Sequence, residues 1–280
     1  MKLSTAIFRE ALVFAAVCVI QGVAGTFVLS PVKFPSAPNA MYWTLLSNAL
    51  VVASLVLVAA CSDWRGWRLG CALAGVPFAI GCVNGIEGAV FLTNTGMDWR
   101  RFFIYLIVSA ILIMPVWMVL FGRRAEVSPE HFHPIATKST AETIWKFLVS
   151  DVAYIFFYLG AGTIVFPYVK DFYATQHLPA MSALIALQLL LRGPLFIAIC
   201  VLLVRMLGLR GLRGALAVGA VFTLLSGVTP LLIPNPYLPD AVRWAHMCEV
   251  TSSNFVFGAI MAWLWGEPNP SRGLALRQAA

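Results

Sequence analysis

Charged residues are scarce in this chain, and their scarcity excludes an ordinary soluble protein. Only 11% of its 280 residues are charged, while 60% are hydrophobic. A soluble globular domain carries about a quarter charged residues, and no soluble core absorbs such an apolar excess. Lipid must therefore face much of the chain. The length also leaves no room for a separate soluble domain of ordinary size.

Several chemical signatures are missing as well. The six cysteines lie within or at the ends of apolar stretches and form no CxxC pair, which excludes a disulfide framework and a zinc site. The chain has no P-loop or dinucleotide fingerprint, no paired Glu-x-x-His motifs of a di-iron bundle and no second intramembrane histidine for haem. His131 and His133 alternate in one loop without an acidic or cysteine cluster beside them. We predict no cofactor and no bound metal.

What the chain does contain is apolar segments of membrane-spanning length, repeated eight times. A hydrocarbon core of about 30 Å requires roughly 20 apolar helical residues. The sequence therefore predicts an all-α integral membrane protein with eight transmembrane helices. Their predicted positions are 11–31, 42–61, 70–92, 102–122, 145–167, 181–205, 212–233 and 245–265.

The distribution of basic residues predicts the orientation. The side that carries the N-terminus holds thirteen Lys and Arg residues, and the opposite side holds five. The positive-inside rule then places both termini in the cytoplasm, with the chain crossing the inner (plasma) membrane many times. The net charge of +7 belongs to these short loops, so it does not indicate a nucleic-acid partner. Lys2 and Arg9 before the first apolar run resemble a signal peptide, but an internal repeat argues that this span is retained.

That repeat relates the two halves of the chain. The first and fifth spans both end in Ala-Gly-Thr, at 24–26 and 161–163, and Arg-Gly-x-Arg precedes both the third and the seventh, at 65–68 and 210–213. We interpret this as a four-plus-four duplication whose halves run in parallel through the membrane. The predicted divisions are a first repeat at 1–122, a cytoplasmic linker at 123–144, a second repeat at 145–266 and a cytoplasmic tail at 267–280.

Two local patterns bear on packing. Gly81 and Gly85 form a GxxxG pattern, which lets the third span approach a neighbouring helix closely. Pro230 and Pro239 belong to a group of prolines that breaks up the end of the seventh span and the loop after it. This outer connection is predicted to be irregular and to form a plug or a rim.

Ionisable side chains within the bilayer indicate where function lies, because they are costly to bury there. Counted from the span ends, four of them fall in the outer half of the bundle, and we expect them to converge on one pocket. His246, Glu249 and Ser253 share one helical stripe, and the first half has no counterpart of this set, so the second half carries the site. The candidates for ligand or proton binding are Glu249, His246, Arg192, Glu87, Asn84 and Ser253. No catalytic residue is assigned.

Each candidate also has a structural interpretation. Glu87 and His246 lie close enough to the headgroups to be solvated. Arg192 would pair with Glu249 and hold the sixth and eighth spans together. Asp151 is predicted to be interfacial, near the start of the fifth span.

The leading functional hypothesis is a permease for a small molecule or an ion. Glu249 would bind a proton or ligand, since burial disfavours the charged carboxylate. His246 would relay protons, and Arg192 would bind an anion or act as counter-charge. The alternatives are a membrane-embedded enzyme acting on a lipid or isoprenoid substrate, with His246 or Glu249 as general base, and a non-catalytic subunit of a membrane complex. The predicted partners are the lipid bilayer and a small substrate. A partner in a membrane complex and an oligomeric state are left open.

Overall fold

Every secondary-structure element in the described part of the chain is helical. The computed structural model describes residues 3–29, 39–62, 64–93, 97–121, 139–234 and 238–266. Eight helices are long and apolar enough to cross a membrane, which confirms the predicted number of spans and a multi-pass membrane protein. Most of the predicted linker, with His131 and His133, and the predicted tail lie outside the described residues.

We number the eight helices α1 to α8 in chain order. Helix α1 covers Leu3–Ala24 and continues as the π-helical turn Gly25–Leu29. The others are α2 (Ala40–Cys61), α3 (Gly66–Phe91), α4 (Trp99–Phe121), α5 (Thr140–Tyr173), α6 (Met181–Leu207), α7 (Gly211–Leu232) and α8 (Asp240–Trp265).

Helix α5 is longer than predicted at both ends. Ser139 caps its start by accepting a hydrogen bond from the backbone N–H of Glu142. Pro167 does not end the helix, which continues to Tyr173. A proline is tolerated within a membrane helix because neighbouring groups satisfy the freed backbone atoms. Asp151 consequently lies about three turns inside the helix instead of at its start.

Two further π-helical turns interrupt the second half. One is Gln188–Arg192 within α6, and the other is Leu224–Val228 within α7. A π turn inserts one extra residue and rotates the side chains that follow it, and such turns are frequent at functional sites. Both turns lie against the candidate site.

The core of the bundle is formed mainly by α3, α6 and α7, and Phe196, Cys200, Leu203 and Phe222 are fully buried in it. Helix α8 packs against α7 and α5, and α3 packs against α4. Helix α4 is peripheral, since its buried residues are confined to its last turns.

Small residues bring two helix pairs together. On α3, Gly81 faces Leu106 and Gly85 faces Phe102 of α4, so the GxxxG pattern packs against a neighbour as predicted. On α7 and α8 the contact is closer still. A Cβ atom at Gly258 would lie 3.0 Å from the Cα atom of Gly219.

Candidate functional site

A cavity of about 490 Å³ lies between α3, α5, α6, α7 and α8. It is enclosed by the final turns of α3, α5 and α7 and by the first turns of α6 and α8. Five of the six predicted site residues line it: Asn84, Glu87, Arg192, His246 and Glu249. The rest of the wall is mostly apolar, so the structure brings the predicted polar groups together in one largely hydrophobic chamber.

Part of the cavity wall faces the surroundings of the protein. Leu159 and Phe166 of α5 and Met181 of α6 line the cavity and are 39%, 56% and 64% exposed. In a membrane these side chains meet lipid. The cavity is therefore partly open at the surface of the protein.

Arg192 lies at the end of the π-helical turn in α6 and is only 4% exposed. Its Nη1 atom donates to Oε1 of Glu87 on α3 in a direct ion pair. The guanidinium carbon also lies 5.5 Å from the ring centroid of Tyr158 and 5.0 Å from that of Phe196, which are cation–π distances. The structure thus differs from the predicted pair between Arg192 and Glu249, and the charge of Arg192 is already balanced within the protein.

Glu249 has a different partner on its own helix. Its Oε2 atom lies 2.9 Å from Nδ1 of His246, one turn earlier on α8. Glu249 is 12% exposed and His246 24% exposed, so both reach the cavity more freely than Arg192 does. Helix α5 approaches here through Gly162, where a Cβ atom would lie 3.3 Å from the Glu249 carboxylate. The pair forms a hydrogen-bonded carboxylate–imidazole dyad at the cavity wall.

The remaining two candidates occupy the edges of the site. Asn84 donates through Nδ2 to the carbonyl of Ser226, at 3.3 Å, and so links α3 to the π-helical turn of α7. The hydroxyl of Ser253 donates to the carbonyl of Glu249 at 2.8 Å. Ser253 lines a narrow space of about 10 Å³ beside the main cavity, next to Tyr154 and Tyr158.

The irregular end of α7 forms a rim of the cavity, in line with the prediction for this connection. Pro230, Leu231 and Leu238 line the cavity. Arg243 of α8, which is 3% exposed, donates to the carbonyls of Leu231 and Leu232. These bonds satisfy the carbonyl groups that the end of α7 leaves unpaired.

The first half of the chain encloses a second cavity of about 360 Å³, between α1, α2, α3, α4 and α7. Asn84 and Pro230 line both cavities, so the two adjoin at the α3–α7 contact. The described lining residues of this second cavity carry no formal charge. Its polar side chains include Gln21, Asn48 and Tyr105.

Asp151, which the sequence predicts to be interfacial, packs inside the helical bundle. It is 9% exposed, and its Oδ1 atom has no hydrogen-bond partner. Its neighbour Ser150 accepts a hydrogen bond from the indole of Trp265, the last residue of α8.

Comparison with models of known protein families, with curated proteins and with solved structures finds no match. Among the described residues, no group of three or more His, Cys, Asp and Glu side chains is arranged to hold a metal ion.

Proposed function

We propose that this protein is a permease for a small amphipathic molecule that binds in the cavity of α3, α5, α6, α7 and α8. The observation that carries the proposal is the meeting of four ionisable side chains in one mostly apolar cavity of about 490 Å³. Ligand sites are typically apolar pockets with a few convergent polar groups. Ionisable groups at membrane depth mark substrate and ion pathways.

The charges of the site favour a cationic ligand. Arg192 and Glu87 neutralise each other, and Arg192 is almost completely buried. Glu249 then supplies a negative charge that is uncompensated whenever His246 is neutral. An organic ammonium group with an apolar body matches both the carboxylate and the hydrophobic wall. This assigns Arg192 the role of counter-charge rather than that of an anion-binding group.

The Glu249–His246 dyad also offers a means of coupling to protons. A proton and an organic cation both neutralise the same carboxylate, so their binding is mutually exclusive on electrostatic grounds. The imidazole at 2.9 Å is placed to exchange that proton with the carboxylate. The proposed permease therefore exchanges a cation for protons.

The packing of the helices supports the proposed duplication. In the first half, α1 packs against α2 and α4, and α3 packs against α4; in the second, α5 packs against α6 and α8, and α7 packs against α8. The second half also has a contact between α6 and α8 that is stronger than any between α2 and α4. Across the halves, α2 and α3 pack against both α6 and α7. This pattern fits two parallel repeats, at 1–122 and 145–266, about an axis along the membrane normal. Both termini then lie on the same side of the inner membrane, and the excess of basic residues on that side indicates the cytoplasm.

The two cavities fit the same scheme. Each lies within the four helices of one repeat and is completed by the third helix of the other. Formal charges line the second-half cavity, while the described lining of the first-half cavity has none. The proposed assignment of substrate binding to the second half follows from this difference.

A binding assay tests the proposal. Purified protein in detergent is titrated with radiolabelled tetraphenylphosphonium, an apolar cation, and with an apolar sulfonate of similar size. We expect saturable binding of the cation alone, and at least a tenfold loss of affinity in Glu249→Gln. Glu142→Gln is the matched control, since Glu142 pairs with Lys146 on the first turns of α5, away from the cavity. Equal binding by both variants, or preference for the sulfonate, would contradict the proposal.

A lipid-modifying enzyme is the second candidate, favoured by the exposure of cavity-lining residues to the bilayer. In that case His246, oriented by Glu249, would act as the general base. Incubation of the protein in liposomes, followed by lipid mass spectrometry, separates the two functions. Lipid products that depend on His246 would favour the enzyme. If the protein were a non-catalytic subunit, we would expect its ion pairs to be dry and closed. Here the ion pairs line an accessible cavity.

A further inference from the structure

The first-half cavity, between α1, α2, α3, α4 and α7, differs in chemistry from the cavity of the candidate site. Its volume of about 360 Å³ lies within the size range of ligand pockets. Its described lining residues carry no formal charge, and none of them is exposed at the protein surface. A charged ligand would meet no counter-charge from these residues, and an unpaired charge is costly at membrane depth. The cavity therefore favours a neutral ligand.

Hydrogen-bonding side chains gather at one end of this cavity, where α1, α3 and α7 finish and α2 begins. They are Gln21, Thr44, Ser47, Asn48, Asn84 and Thr229. The hydroxyl of Ser47 donates to the carbonyl of Thr229 at 2.9 Å, and Asn84 donates to the carbonyl of Ser226, one turn before Thr229. These bonds hold α2, α7 and α3 together at the polar end.

Two amide side chains at the polar end have hydrogen-bonding groups that the described chain does not use. Asn48 is 5% exposed, and its hydrogen bond runs from Nδ2 to Sγ of Cys18 at 3.8 Å. Sulfur is a weak acceptor, and the carbonyl oxygen of Asn48 has no partner among the described residues. Gln21 follows Cys18 by one turn on α1, and its side chain also has no partner there. Because buried polar groups are nearly always paired, the two amides indicate a ligand between them.

The opposite end of the cavity is apolar and lies deeper in the bundle. It is formed by Leu55, Leu73, Ala74, Ile113 and Trp117. Leu73 and Asn84 line the cavity from the same helix, so it extends over about 16 Å at 1.5 Å per residue. This length is comparable to that of an extended dodecyl chain. The cavity thus has the polarity of an amphipathic molecule with a single apolar tail.

We propose that this cavity binds a neutral single-chain alcohol, with its hydroxyl between Gln21 and Asn48 and its hydrocarbon chain against Leu55 and Trp117. A hydroxyl both donates and accepts hydrogen bonds. It can donate to the carbonyl of Asn48 and accept from the amide N–H of Gln21. A carboxylate only accepts and an ammonium group only donates, so neither satisfies both amides. This site is separate from the one that contains Glu249, and it does not depend on the function proposed there.

Tryptophan fluorescence provides the test, because Trp117 lines the apolar end and is 1% exposed. The probe is dodecanol that carries bromine on its last carbon, where it quenches an adjacent indole. Purified native protein in detergent is titrated with this probe. We expect a saturable quenching component that is absent in Trp117→Phe, since the bound chain places the bromine beside this indole. Quenching that never saturates, or that is unchanged in Trp117→Phe, would overturn the proposal.

Competition with molecules that lack bromine tests the choice of head group. Dodecanol should displace the probe, whereas dodecyltrimethylammonium and dodecanesulfonate should do so at least tenfold less well. Equal displacement by either charged analogue would contradict a neutral site.

Two variants change the walls of the cavity. Asn48→Leu removes the amide and should weaken binding of the probe at least tenfold, and Ala110→Phe should block the cavity from the peripheral helix α4. The control is Ser54→Ala, because this hydroxyl bonds to the carbonyl of Leu50 on its own helix and does not line the cavity. Size-exclusion chromatography verifies that each variant is folded. Native affinity in both Asn48→Leu and Ala110→Phe would show the site to be wrong.

The two cavities can fail or succeed separately. Asn48→Leu should bind tetraphenylphosphonium within twofold of the native protein, and Glu249→Gln should bind the brominated alcohol within twofold. Mass spectrometry of lipids extracted from the purified protein identifies the source of the ligand. A hydroxyl lipid enriched in the native protein over Asn48→Leu would support the site and place its ligand in the membrane, whereas saturable dodecanol binding without such enrichment would support a free alcohol. Enrichment of a charged lipid that depends on Asn48 would overturn the proposal.

Discussion

Removing the Glu87 carboxylate is expected to leave a buried cation without its partner. Arg192 is 4% exposed and Glu87 15% exposed, and they form a direct ion pair between α6 and α3. Breaking a buried pair from one side costs about 3–5 kcal/mol. The aromatic rings around Arg192 offset part of this, at about 0.5–1 kcal/mol for each cation–π contact. We therefore expect Glu87→Gln to lower the free energy of unfolding by about 2–3 kcal/mol.

A double-mutant cycle provides the control for this prediction. Arg192→Met alone leaves Glu87 unpaired, and Glu87→Gln with Arg192→Met removes both charges. The double variant should therefore be more stable than the sum of the single changes predicts, by about 2 kcal/mol. Unfolding of the purified protein in mixed micelles, titrated with sodium dodecyl sulfate, measures all four free energies. Additive effects, or an unchanged midpoint in Glu87→Gln, would refute the ion pair as a stabilising contact between the two halves.

Three further changes test other parts of the fold. In the same unfolding assay, Gly258→Leu should destabilise the protein by about 1–3 kcal/mol, because the new side chain meets the backbone of Gly219. The control Gly160→Leu, at a position with open space around it, should be nearly neutral. Arg243→Met should cost about 1.5–3 kcal/mol, since the rim carbonyls lose their charged donor; equal stability would mean that they find other partners. Ser139→Ala should cost about 1 kcal/mol and increase amide hydrogen exchange in the first turn of α5, and unchanged exchange there would contradict the cap.

The eight spans were predictable because the length of an apolar run alone determines whether a helix crosses the bilayer. The predicted positions match the observed helices to within five residues at most ends; α1 begins eight residues earlier than predicted, and α5 extends beyond its prediction by five residues at its start and six at its end. There the start depends on a capping interaction at Ser139 that precedes the apolar run. Hydropathy is insensitive to such a polar signal.

The convergence of the polar candidates could also be predicted from the sequence. Few ionisable groups lie inside the spans, and their distances from the span ends place Glu87, Arg192, His246 and Glu249 in the same outer half of the bundle. The pairing was not predictable, because it depends on how each helix is rotated about its axis. The π-helical turn that ends at Arg192 alters this rotation, and it orients the guanidinium toward Glu87 on α3. No local sequence pattern indicated that turn.

The peripheral position of α4 has a consequence for how this protein tolerates sequence change. Its buried residues among those described are Trp117 and Phe121, and Ile104, Ile107 and Ile111 are exposed. Lipid adapts to side chains of different shape, so it places few packing constraints on the residues that face it. Random apolar replacement along the outer face of α4 should therefore be nearly neutral. The α6 segment around Phe196 should tolerate few substitutions, because close-packed interiors respond to changes of a single methylene group.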